Sequence, residues 1–422
     1  MAAAFYRLYN AIWYPALPFA LLAGGGDRRE RLGQVPPGEL GLDGAPRLWF
    51  HAASVGEVEA LSAVARGLMS ELPGAAAIVT TMTETGREAA RRRIPSAAAH
   101  RLAPFDHRTA VRSFIAAVRP DLVVITETEL WPGYFVEARR AGARIAILNG
   151  RISEQAFERY RWLRPLIAEA LGDIDLVLAQ TIGDARRYRA LGAPRRRLVV
   201  TGNTKFDLAR RSAPPALRPE LERFAAAAPL LVAGSTAPGE EKIVLAAWRM
   251  LAARFPELRL AIAPRHLDRV AEVESLLRLE GGAPYLKAST ISQSADSAAR
   301  ILLLDTMGEL SALYYRASLA LVGGSLVPGR GGQSLAEPAA AGVPVIFGPF
   351  HDNQRQMAEA LRGGDGGKVV KDHRELYQAC AMLLEDEPRR REAGLAARRS
   401  LELLGGAVAA SIPLLKALVA GR

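Results

Sequence analysis

The sequence predicts an α/β protein built from two doubly wound domains facing a cleft, and three observations predict it. Short apolar or β-branched runs recur from residue 46 onward, separated by amphipathic stretches of helical period such as 57–72 and 240–254. Runs that are apolar throughout, alternating with helices, are what parallel strands buried on both faces require. Residues 206–225 hold three prolines and no strand pattern, so they read as a linker between two halves.

Composition bounds the remaining classes. With 422 residues, 50% apolar and 23% charged, the chain suits two or three domains with their own cores, not a disordered or collagen-like chain. A single cysteine, Cys380, excludes an internal disulfide framework and a Cys-based zinc site, and makes a reducing compartment the default. The formal charge is +11, from 55 Lys and Arg against 44 Asp and Glu. Such an excess favours anionic partners: nucleic acid, phosphorylated small molecules or an acidic membrane. Only six of the 55 cations are lysine, so much of the arginine excess reads as genome composition rather than partner choice. No interleaved aromatic and basic repeat or nucleic-acid module is visible, which sets nucleic acid aside.

At the N-terminus, residues 1–26 are apolar except for Arg7 and Asn10, and the basic run DRRER follows. Phe5, Tyr6, Tyr9, Trp13 and Tyr14 are interleaved, and Pro15 and Pro18 interrupt the apolar stretch. The 13 residues from Ala11 to Ala23 fall short of the roughly 20 needed to span a bilayer. The segment reads as a membrane anchor lying in the interface, with an apolar arm packed on the protein's own surface as the competing reading.

Strands are expected at 47–51, 77–81, 122–126, 144–148, 176–179 and 198–201, then at 230–234, 258–263, 301–304, 319–322, 344–347 and 368–371. Doubly wound sheets bind ligands at the carboxyl ends of their strands, so the turns there are the candidates. After the first run comes His51-Ala-Ala-Ser54-Val-Gly56-Glu57. Ser54 and Glu57 have the spacing of a capping box, and Glu57 also suits a general base. Thr83-Glu84-Thr85-Gly86 and Thr126-Glu127-Thr128-Glu129 place hydroxyls and carboxylates after later runs, either for sugar hydroxyls or merely to charge a helix start. The segments around Asn149 and Lys205 share that position and that ambiguity.

In the second half, Gly234-Ser235-Thr236 leads through Pro238 into a helix near Glu240, a setting for phosphate or carboxylate. Arg265 suits a bidentate phosphate contact, and His266 a helix-start hydrogen bond. The segment 323–342 crowds Gly323, Gly324, Ser325, Gly331, Gly332, Gln333 and Ser334 before a helix expected to begin near Gln333, with Glu337 one turn inside. Bare amides there would cradle a phosphate, with Glu337 reaching ribose hydroxyls. The pattern is neither a Walker loop nor the G-x-G-x-x-G fingerprint.

The motifs FHAASVGE, TTMTETG, ETELWP, LNGRIS, GNTKFD, GST, APRH, DTMGEL and GGSLVPGRGGQSLAEPAAAGVPVIFGP, in this order over nearly the whole chain, resemble the 3-deoxy-D-manno-octulosonic acid (Kdo) transferases. The resemblance implies a GT-B glycosyltransferase fold of two Rossmann-like domains. It further implies CMP-Kdo as donor, a lipid A precursor (lipid IVA) as acceptor, inversion at the anomeric carbon, and neither metal nor cofactor. Carried over by motif, Glu57 is the base. Arg265, Met307, Gly308, Glu309, Leu310, Gly332, Gln333, Ser334 and Glu337 form the CMP-binding set. Ser54, Gly56, Glu84, Glu127, Lys205, Ser235, Thr236, His266 and Ser325 are further cleft candidates. Arg330 and Ser334 stand where the family usually has His and Asn, and Ala237-Pro238 where it usually has His after Gly-Ser-Thr. The implied organisation is an anchor at 1–35, an acceptor domain at 36–210, a donor domain at 226–400, and a C-terminal helix at 401–422 crossing back to the first domain. The implied location is the cytoplasmic face of the Gram-negative inner membrane, at its acidic surface. The rival reading is another GT-B enzyme acting on a UDP-sugar, as transferase or 2-epimerase.

Overall fold

A computed structural model describes residues 2–23, 27–36, 38–211, 214–291 and 298–421, without the side chains of 2–5, 14, 18, 20–23, 210 and 211. Of the aromatics and prolines singled out at the N-terminus, the side chains of Phe5, Tyr14 and Pro18 therefore lie outside the described residues, as do Gly24–Gly26. The chain forms two compact units, Met1–Leu208 with Gly405–Arg422, and Ala209–Leu404.

The first unit is built on β1 (Arg47–His51), β2 (Ala76–Thr81), β3 (Ala99–Leu102), β4 (Leu122–Thr126), β5 (Arg144–Gly150), β6 (Leu176–Ala179) and β7 (Leu198–Val200). They pair in the order β3-β2-β1-β4-β5-β6-β7, every neighbour parallel. The second unit holds β8 (Leu230–Thr236), β9 (Arg259–Pro264), β10 (Tyr285–Lys287), β11 (Ile301–Leu303), β12 (Leu319–Val322), β13 (Val345–Phe347) and β14 (Gly367–Val369). Its order is β10-β11-β9-β8-β12-β13-β14, again parallel throughout. In each sheet the chain order reverses beside the first strand, between β1 and β4 and between β8 and β12. Helices there depart to opposite faces and leave room for a ligand.

Alternate residues of β1 point to opposite faces. Trp49 joins a core with Phe114 and Tyr134, whereas Leu48 and Phe50 join another with Val58, Leu61 and Leu68. The second sheet is likewise covered on both faces by separate apolar clusters. Full burial of each such side chain contributes about 1.5–3 kcal/mol, which is why these strands read as unbroken apolar runs.

Two segments differ from expectation. The stretch 206–225 is not a plain linker: it contains the helices Thr204–Arg211 and Pro219–Ala226. The C-terminal 401–422 is not one helix: Glu387–Leu404 ends in the second unit, and Ala407–Ala420 packs on the first. Gly406, at φ +102°, makes the break. Asp207 then caps the last helix, accepting from Gly406 N at 2.6 Å and Val408 N at 2.8 Å. Val408 and Leu415 are buried in the first unit's core. Counted across that break, Glu387–Ala420 is by length and composition alone the one candidate membrane span among the described residues, although Ala407–Ala420 is packed on the first unit.

The N-terminal segment is a single helix, Ala2–Ala23, despite its prolines. One face docks on the first unit: the Tyr9 hydroxyl donates to Asp106 Oδ2 (2.7 Å), the Tyr6 hydroxyl to Glu137 Oε1 (3.2 Å), and Asn10 Oδ1 accepts from Arg108 N (2.9 Å). Trp13 stacks on Phe105. That face matches the reading of an arm packed on the protein's own surface. Leu8, Ile12 and Phe19, however, are 62%, 62% and 74% exposed.

Candidate active site

In the first unit the candidates gather where the order reverses, at the carboxyl ends of β1 and β4. Glu57 lies in the first turn of the helix Val55–Glu71, directly after β1. The capping box forms by half: Ser54 is the N-cap but its side chain caps no amide, while Glu57 Oε2 reaches back to Ala53 N at 2.8 Å. Ser54 Oγ donates a longer bond, 3.3 Å, to Glu57 Oε1. Burial pushes the Glu57 carboxyl up to about 7; the Ala53 amide opposes this, and the nearby Glu129 and Glu127 charges add to it. A carboxylate poised near neutrality is what proton abstraction from a hydroxyl needs.

Glu127 follows β4 with φ +60°, a conformation that non-glycine residues rarely adopt. Lys205 Nζ donates to its Oε1 at 2.7 Å, and Asn149 Nδ2 to the same oxygen at 3.3 Å. The buried Asn149, itself at φ +56°, also accepts from Thr204 N at 3.1 Å, at the start of the helix that carries Lys205. One side-chain amide thus positions both partners of the ion pair. Gly56 faces the same place: a Cβ there would lie 3.9 Å from Lys205 Nζ. Glu84 is elsewhere. It opens the helix Glu84–Arg93, exposed and paired with Arg87.

The second unit's candidates also collect beside the reversal, at β8 and β12, but their chemistry differs from expectation. Several amides of the glycine loop are already engaged. Glu240, fully buried, takes Ser325 N (2.9 Å) and Leu326 N (2.7 Å) on Oε1, and Gly324 N (2.7 Å) and Ala237 N (2.8 Å) on Oε2. Gly332 N and Gln333 N donate back to the carbonyls of Gly324 and Gly323. Nor does a helix start at Gln333: it is the short Ala336–Ala340. The physical reason is that a carboxylate from the preceding helix start satisfies the loop's donors internally. Gly323 is required by the close approach, since a Cβ there would sit 2.6 Å from Thr236 Cα and 2.7 Å from Glu240 Oε2.

Several candidate side chains are already engaged. Ser325 Oγ donates to Val322 O and accepts from Gly348 N, stapling β12 to the end of β13. Thr236 Oγ1 donates to Glu241, which pairs with Arg269. Glu309 is held by Arg218 and by the Thr306 hydroxyl. Ser235 (φ +55°) is half-buried between these engaged neighbours. Arg265 and His266 are exposed at the end of β9, with the Arg265 amide on Thr236 O. Met307 is exposed, Gly308 (φ +90°) borders open space, and Leu310 begins a short helix beside Gly234. Ser334 and Glu337 are half-buried, and the charge of Glu337 bears on the buried Tyr314 phenol. Sequence reasoning missed Glu240, whose only signal is an acidic residue at a helix start after Gly-Ser-Thr. Among the described residues no three His, Cys, Asp or Glu side chains form a metal-holding group.

Two seven-stranded, all-parallel, doubly wound units of this order define a GT-B-type glycosyltransferase fold. Solved structures agree at the level of fold. A UDP-GlcNAc 2-epimerase from Neisseria meningitidis superposes with TM-score 0.60 at 14% identity, covering 88% of this chain and 99% of that one. A putative UDP-N-acetylglucosamine 2-epimerase from Listeria monocytogenes gives 0.61 at 14%, over 85% and 94%. Sequence narrows this further. Residues 27–208 match the family model of 3-deoxy-D-manno-octulosonic-acid transferase (kdotransferase). The transferase of that name from Haemophilus influenzae is 32% identical over 87% of this chain and 86% of its own length. The one from Chlamydia pneumoniae is 32% identical over 83% and 79%. This chain belongs to the 3-deoxy-D-manno-octulosonic-acid transferase family.

Proposed function

We propose that the chain transfers Kdo from CMP-Kdo to a lipid A precursor, lipid IVA, with inversion and without a metal ion, as a step of lipopolysaccharide core assembly. The observation that carries this reading is Glu57, a carboxyl pushed up to about 7 at the strand-order reversal beside the Lys205–Glu127 pair. Its carboxylate takes the proton of the acceptor hydroxyl as that oxygen bonds to the anomeric carbon of Kdo. The bond from that carbon to the CMP phosphate breaks, and the electron pair leaves with the phosphate. In the second unit, Arg265, Met307–Leu310, Gly332–Ser334 and Glu337 bind the CMP moiety, and Arg265 balances the departing charge. The Glu240-braced loop keeps its backbone fixed around the nucleotide, so donor binding costs little reorganisation. Lys205 and Glu127 orient sugar hydroxyls beside the base.

The acceptor is a lipid, and the helix Ala2–Ala23 supports work at the acidic cytoplasmic face of an inner membrane. It docks by its polar and aromatic face and leaves Leu8, Ile12 and Phe19 on the other. The test is transfer from CMP-Kdo generated in situ to lipid IVA, for wild type and Glu57→Gln, each with and without EDTA. EDTA-resistant product from wild type alone is expected. A folded wild type without product overturns the donor–acceptor pair, and product from both proteins overturns Glu57 as base.

A further inference from the structure

The helices Arg108–Val118 and Pro132–Arg140 of the first unit enclose a depression of about 650 Å³ that the proposed transfer does not use. It lies at their solvent face, lined by Arg108, Arg112, Arg119 and Arg140 together with Glu137 and Asp121. Three of the guanidiniums converge on one carboxylate. Glu137, only 4% exposed, is 2.6 Å from Arg140, 3.5 Å from Arg108 and 3.6 Å from Arg112. The buried carboxylate hydrogen-bonds Arg140 and draws Arg108 and Arg112 toward it, yet it can balance only one of them. Asp121 is occupied with the Arg47 backbone amide, and Arg140 also faces Glu169 and Asp173 of the helix Arg164–Asp173. Arg108, Arg112 and Arg119 are the cations left turned toward water.

The N-terminal helix borders this depression. The Tyr6 ring lies under the Arg140 guanidinium at 5.5 Å, and the Tyr6 hydroxyl donates to Glu137. Asn10 receives the amide of Arg108. Residues 8, 12 and 19 fall on one side of that helix at 100° per residue, opposite this docked face. A helix that docks one face at a guanidinium cluster and turns an aliphatic stripe to the other side has the chemistry of a lipid: acyl chains below a phosphate.

We propose that Arg108, Arg112, Arg119 and Arg140 seat the phosphate headgroup of an anionic phospholipid while Leu8, Ile12 and Phe19 enter the acyl layer. This rests on the reading that the chain works at an acidic bilayer, and it adds a defined headgroup site. Planar guanidiniums match phosphate oxygens in pairs, and a headgroup brings the negative charge that Glu137 alone does not supply.

The test is co-sedimentation of the full chain with vesicles of phosphatidylglycerol in phosphatidylcholine, against phosphatidylcholine alone. Wild type should bind the anionic vesicles. Arg108→Gln with Arg112→Gln should weaken binding on the order of 30-fold, at about one basic side chain's contribution each. Arg195→Gln with Arg196→Gln removes the same charge from an exposed turn of the same unit and should have much the smaller effect. Equal losses from the two pairs would reduce the effect to net charge and overturn the site. Binding of inorganic phosphate in isothermal titration, lost in Arg108→Gln/Arg112→Gln and without binding to the anionic vesicles, would assign the depression to soluble phosphate and overturn the lipid. Retained binding by Arg108→Gln/Arg112→Gln, with loss in Leu8→Gln/Ile12→Gln/Phe19→Gln, would keep the membrane reading and reject the pocket. No binding by wild type would reject both. Circular dichroism of each variant confirms that the losses are not unfolding.

Discussion

Glu57→Gln should make the protein inactive and, above neutral pH, more stable. The carboxyl sits at about 7 in the folded chain against an ordinary 4.5, chiefly because it is desolvated. The folded state therefore holds this proton more tightly than the unfolded chain does. Between pH 4.5 and about 7 the unfolded chain has lost the proton while the folded chain keeps it, so stability falls as pH rises through that window. Above it the full cost of the buried charge is present, about 3 kcal/mol at most from the displacement and less where water reaches the group. Glutamine has the same shape, still accepts from Ala53 N, and carries no charge to desolvate. The variant should thus gain about 1–3 kcal/mol over wild type at pH 8 and little below pH 4.5. Loss of a general base should meanwhile cost about 10²–10⁴ in turnover. Urea denaturation at pH 4.5 and pH 8, with transfer assays across the same range, reads both effects. Wild-type kcat/KM should rise with pH to a plateau with a break near 7. A break below 5, or a variant less stable than wild type at pH 8, would refute the assignment of a desolvated base.

Lys205→Ala leaves Glu127 without its cation 2.7 Å away, so more negative potential reaches Glu57. The break in the wild-type pH–rate profile should then move upward, by about one pH unit or less. Glu240→Ala strands four buried backbone N–H groups, and urea denaturation should show a loss of about 4 kcal/mol or more. CMP binding by isothermal titration should weaken in the same variant at temperatures where it remains folded. Cys380 is fully buried and its thiol is pushed up to about 12, so a thiol-specific chromogenic reagent should react with it only after unfolding.

Much of the fold was legible because its strands are buried on both faces, and the two that were not legible are edge strands. β3 carries His100 and Arg101 and is only partly covered, and β10 is the half-buried Tyr-Leu-Lys. Neither has the apolar run that a central parallel strand needs. The helices inside 206–225 were masked by prolines, yet Pro219 opens its helix at a position where its missing N–H costs nothing. Pro15, by contrast, lies inside the N-terminal helix, where docking through Tyr6, Tyr9, Asn10 and Trp13 offsets the lost hydrogen bond. At the site, Glu57, Glu127 and Lys205 were legible because each follows a strand. The double role of Asn149 was not, since it depends on a left-handed backbone and on Thr204, far along the sequence.

The two glutamates that follow the first strand of each unit show why residue type at a strand end does not settle its chemistry. Both lie in the first turn of a helix, and both turn back toward the preceding loop. Glu240 receives four backbone N–H groups at 2.7–2.9 Å, two on each oxygen. A carboxylate so saturated has its lone pairs engaged and serves as scaffold. Glu57 receives one N–H at 2.8 Å and a hydroxyl at 3.3 Å, is largely withdrawn from water, and has two further carboxylates close by. Its charge is destabilised rather than satisfied, and the imbalance is what makes it basic. The number of N–H donors aimed at each carboxylate, a property of loop backbone and not of side-chain spacing, separates the brace from the base.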